Sequence, residues 1–83
     1  MTAARPLTRR QREVLALAAN GNTNQQIGNW LHITHDTVNN ILGKAYRRLG
    51  AHDRAHAVAI ALAIGELGVH QITVPDQQRE AAA

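Results

Sequence analysis

Lys44, Arg47 and Arg48 stand three and four residues apart, a spacing that gathers three cations on one side of a helix. Such a group suits phosphate oxygens, and a solvated polar stripe is the competing reading. Thr34 and Thr37 add two hydroxyls that can meet phosphate. Thr34 also stands where a helix needs an N-cap, and both roles can coexist. Asn24 and Gln25 open a shorter helical segment and can present amides to phosphate. His35 can touch phosphate or add pH sensitivity. Arg9, Arg10 and Arg12 crowd the start of another helix, where cations oppose the dipole, so an external anion would rationalise them. His52 and His56 have the i, i+4 spacing of a zinc pair. However, His52 precedes a helix cap and no third ligand cluster accompanies it, so neither metal nor other cofactor is expected. The sequence has no phosphate-cradling glycine loop, nucleophile elbow or paired carboxylates, so an enzyme is not expected. The chemistry on offer is binding.

The elements that must position these groups are helices. Thr8 with Gln11, and Thr23 with Gln26, have capping-box spacing, in which each side chain serves the other's backbone amide. They predict helices over about 9–19 and 24–31, the first stopped by Asn20-Gly21-Asn22. A turn at His32-Ile33-Thr34 leads into a third helix over about 35–49, whose apolar positions Val38, Ile41, Leu42, Ala45 and Leu49 share one face. Asp53 caps a fourth helix over about 54–67, apolar nearly all round. Such a helix is central in a core or lies at an interface, and so short a chain cannot surround it. Trp30 lies beside the Ile27–Leu31 face; its indole is expected to cover the core edge with the N–H in water, a partner contact being the alternative. Residues 1–6 read as an arm, 7–67 as the domain and 68–83 as a flexible tail, in which Val69–Val74 could pair briefly as a strand.

Composition agrees with one small all-α domain. The chain has 83 residues, no cysteine, no Phe, one Trp and one Tyr. A chain this short buries only about 60–65% of its extended surface. No disulfide framework is available, no apolar run is long enough to span a membrane, and no secretory signal opens the chain, so a cytoplasmic protein is expected. The net charge of +3 is uneven: residues 1–48 carry seven basic groups against two acidic ones, residues 49–83 two against four. A basic front suits a polyanion.

A short helix, a tight turn and a long helix with polar residues early is the helix-turn-helix layout. The residues add to it. Leu7-Thr8-Arg9-Arg10-Gln11-Arg12-Glu13-Val14-Leu15 resembles the opening of the LuxR-type (GerE-like) DNA-binding domain. Gly21, Thr23-Asn24, Ile27, Leu31, Ile33 and Thr37-Val38 continue that pattern in register, and Leu49-Gly50-Ala51, Arg54 and Ala57-Val58 complete it. The resemblance covers about residues 6–67. It implies a four-helix domain that binds double-stranded DNA through the third helix and forms homodimers through the fourth, with Ala57, Ile60, Ala61 and Ile64 at the interface. By resemblance, Asn39, Asn40 and Gly43 occupy base-facing positions. The family pattern usually has a lysine at the first of these, and a histidine where Ile41 stands. Asparagine can read adenine in a bidentate way, whereas Gly43 reads nothing but lets a groove edge approach.

The expected function is therefore that of a stand-alone, sequence-specific regulator of transcription. The rival is a protein-interaction module that pairs with another LuxR-type regulator or with RNA polymerase. In that case Asn39, Ile41 and Gly43 would mark a degraded DNA face.

Overall fold

The computed structural model describes residues 6–75. Four helices follow one another: α1 (Arg9–Ala19), α2 (Asn24–Leu31), α3 (His35–Leu49) and α4 (Arg54–Ile64). A single 3-10 turn, Val69–Gln71, follows. α3 is the hub and packs against α1, α2 and α4. Val14, Leu15 and Ala18 of α1 meet Val38, Leu42, Ala45 and Leu49 of α3, and Ile27, Ala57 and Ala61 close the core from α2 and α4.

Local chemistry places the helix starts. Thr8 accepts from the Gln11 amide at 3.1 Å while Gln11 Oε1 accepts from the Thr8 amide at 3.0 Å. Gln11 is buried, and this reciprocal bond is what satisfies its carbonyl. Thr23 and Gln26 repeat the arrangement at α2. Thr34 and Asp53 cap α3 and α4 through the amides of Thr37 and His56.

The helix ends share one device. At Gly21, Gly50 and Gly65 the chain turns with positive φ, and the next amide reaches back to Leu17, Tyr46 and Ala61 respectively. α2 ends the same way, with the Ile33 amide on the Gly28 carbonyl, but the positive φ of +59° falls on His32, which has a side chain to accommodate. That turn is tight: a Cβ at Gly28 would lie 2.6 Å from the Ile33 carbonyl oxygen.

Three expectations need correction. The fourth helix stops at Ile64 rather than 67. Leu67 continues the apolar pattern in sequence, but the turn at Gly65 folds it back, and it is 2% exposed. The chain beyond 67 is not a loose tail through its described part, and Val69–Val74 forms no strand. Ile72 packs against the core, Asn20 Nδ2 donates to the Gln71 carbonyl at 2.9 Å, and Asn20 Oδ1 accepts from the Thr73 amide at 2.7 Å. Trp30 does not cover the core edge, being 68% exposed. The expectations for residues 1–5 and 76–83 lie outside the described residues. Among the described residues, no helix is long and apolar enough to cross a membrane.

Candidate nucleic-acid interface

The core row of α3 fixes what its other side displays. Val38, Leu42, Ala45 and Leu49 point inward, so a helix advancing 100° per residue turns Asn40, Lys44 and Arg47 outward. All three are exposed. Neither Lys44 nor Arg47 has a side-chain hydrogen-bond or ion-pair partner among the described residues. Asn39 is exposed on one flank, beside Gly43. A Cβ at Gly43 would meet only the Arg47 guanidinium, at 3.9 Å, so packing does not demand glycine there. The surface has a shallow gap between an amide and a cation.

At the start of α3, the Thr34 and Thr37 hydroxyls lie 2.9 Å apart, and Thr34 Oγ1 also accepts the Thr37 amide at 3.1 Å. One hydroxyl donates to the other, which leaves the pair one O–H to offer outward. Asp36 and His35 are exposed beside them, with His35 Nδ1 3.5 Å from Asp36 Oδ1. Asp36 is a fully exposed carboxylate on the same outward row as Asn40, and no local spacing in the sequence singles it out.

Arg48 is drawn away from the cluster. It is half-buried and its Nε donates to the Pro6 carbonyl at 2.9 Å, so the three expected clamp cations reduce to two free ones. Asn24, expected at a phosphate, accepts from Arg54 Nη2 at 2.9 Å, and Arg54 Nη1 donates to the Asn22 carbonyl at 2.7 Å. Gln25 stays exposed next to it. The first-helix arginines need no external anion: Arg9 and Arg10 face Glu13, and Arg12 lies 3.7 Å from Glu66 while donating to the Leu7 carbonyl.

On α4, Ala57 and Ala61 are fully buried in the protomer's own core and have no surface to give a second copy. That corrects their assignment to an interface. These two alanines form the inward row of α4, which packs on α1 and α3. Ala55, Ala59 and Ala63 face outward, flanked by the partly exposed Ile60 and by Ile64, which is 47% exposed.

The sequence and the fold both have counterparts among known proteins. Residues 5–61 match the family described as bacterial regulatory proteins, luxR family. The chain is 39% identical over 61 residues to the spore germination protein GerE of Bacillus subtilis, covering 74% of this chain and 82% of GerE. It is 48% identical over 56 residues to the transcriptional activator protein BjaR1 of Bradyrhizobium diazoefficiens, but those residues span 23% of BjaR1. Its fold superposes on the solved structure of the transcription factor GerE with a TM-score of 0.71 at 32% identity, over 75% of this chain and 92% of GerE. A second solved structure, of VqmA bound to DPO, gives a TM-score of 0.68 at 28% identity over 87% of this chain and 34% of VqmA. By sequence and by fold, the chain belongs to the LuxR family of bacterial regulatory proteins.

Proposed function

We propose that this chain binds duplex DNA as a homodimer, with α3 in the major groove, and regulates transcription in the cytoplasm. The observation that carries this reading is the outward row Asn40, Lys44, Arg47 on the second helix of a helix-turn-helix pair. A groove about 12 Å wide admits such a helix. Asn39 and Asn40 then face base edges, Lys44 and Arg47 the phosphates, and the Thr34–Thr37 pair, His35, Gln25 and Asn24 the backbone at the helix starts. Gly43 lets the groove edge come close. Two copies joined along α4, through Ile60 and Ile64, would present two such helices to half-sites about one helical turn apart.

The test is selection of binding sites from a random duplex pool, with the winner's affinity measured at two salt concentrations. A two-fold symmetric winner with a steep salt slope is the expected result. The interaction-module reading draws on the exposed Trp30, which with Asn22, Gln26, Asn29 and His32 lines an open groove. It would replace the first reading if no sequence were enriched while a LuxR-type regulator or RNA polymerase bound the chain.

A further inference from the structure

We propose that Arg54 is a positioning residue for DNA binding, one that fixes Asn24 as a hydrogen-bond donor to the nucleic-acid backbone. The inference rests on the DNA-binding reading above and deepens it.

Arg54 is the first residue of α4, and Asn24 is the first residue of α2. Thirty positions apart in sequence, they meet because the half-buried Arg54 guanidinium crosses to the α1–α2 turn. One terminal nitrogen holds the Asn22 carbonyl at 2.7 Å and the other holds Asn24 Oδ1 at 2.9 Å. Asn22 is itself anchored, its Nδ2 donating to the Leu17 carbonyl at 2.8 Å at the end of α1. The planar fork therefore spans two acceptors whose separation the fold sets.

A guanidinium has donors and no acceptor. The carboxamide of Asn24 turns its oxygen toward Arg54, and its NH2, which has no partner among the described residues, stays accessible to solvent. An unconstrained asparagine presents either end; this one has its oxygen engaged by Arg54 and its two N–H donors free. Free donors match an acceptor-only ligand such as a phosphate oxygen. Arg54 thus acts on the contact through Asn24 and touches no DNA itself. A lysine has one point charge in place of the fork and cannot hold both acceptors in that geometry.

The experiment uses the full chain and a duplex taken from the site selection. Affinity is read against salt, and thermal melting confirms that each variant is folded at the assay temperature. Binding by the wild type is the control that belongs to the DNA-binding reading; its absence overturns that reading and this one together. Given wild-type binding, Asn24→Asp keeps an acceptor for Arg54 but replaces the free NH2 with a carboxylate oxygen. It should melt no lower than wild type and bind at least about tenfold more weakly, on every sequence alike. Arg54→Lys keeps the net charge and should weaken binding by about tenfold, the scale of one charge-assisted hydrogen bond. In an Asn24→Ala background, Arg54→Lys should cause little further loss. Wild-type affinity in Asn24→Asp, or an Arg54→Lys loss that persists undiminished without the Asn24 side chain, overturns the proposal.

Discussion

Lys44 and Arg47 are neighbours of Arg48 in sequence, yet they differ from it in what they are free to do. Arg48 spends its Nε on the Pro6 carbonyl, whereas the other two have no partner among the described residues. Lys44→Ala and Arg47→Ala should each weaken binding to all duplexes alike and flatten the log–log salt slope by about 0.9, the value of one phosphate contact. Arg48→Ala should change that slope less. The measurement is affinity at several salt concentrations. His32 offers a second test at this scale. It takes the positive φ that glycine takes at the ends of the other three helices, and His32→Gly should raise stability by about 1 kcal/mol in urea unfolding. Single residues were the hardest to read from the sequence. Thr34 was legible as a cap because its partner is three positions away. The partners of Asn24 and Arg48 stand 30 and 42 positions away, and no local spacing announces such a bond.

Helices carried the clearest signals. Capping boxes are local, apolar rows repeat at the helical period, and glycine after a last apolar residue marks a stop. α1, α2 and α3 therefore lie where the sequence places them. α4 shows where that logic fails. Its apolar pattern runs on through Leu67, and periodicity cannot distinguish a further helical turn from a chain that reverses and buries the same leucine. Leu67→Ala should leave a cavity and cost about 2–5 kcal/mol, the range for large-to-small core changes, as measured by denaturant unfolding. A chain that lost much less would show that Leu67 merely covers the end of α4. The segment after it escapes sequence reading for a related reason. Asn20 bonds the backbone of Gln71 and Thr73 with both ends of its carboxamide, and side-chain-to-backbone bonds of that range leave no composition signal.

For the whole molecule, the homodimer proposed above sets the question of how two copies would meet. The all-round apolar character of α4 is divided by the fold: Ala57 and Ala61 are buried in the protomer, while Ile64 and the outward alanines stay exposed. Because Ile64 is 47% exposed, Ile64→Glu should leave the protomer's stability within about 0.5 kcal/mol, as surface changes do. It should nevertheless convert the proposed dimer to monomer in sedimentation, since an interface cannot bury that charge unpaired. An unchanged sedimenting mass would move the interface elsewhere.

The bond between the Leu7 amide and Glu66 Oε1, at 2.7 Å, joins residues 59 positions apart. Leu7 is itself 4% exposed, so the first described core residue is completed by some of the last. During synthesis, a ribosome must release almost the entire folded unit before this closure can form. Until Glu66 and Leu67 emerge, the nascent chain carries α3 on an unfinished core. Competence for DNA, on the reading proposed above, then arrives only once Glu66 and Leu67 have emerged rather than helix by helix.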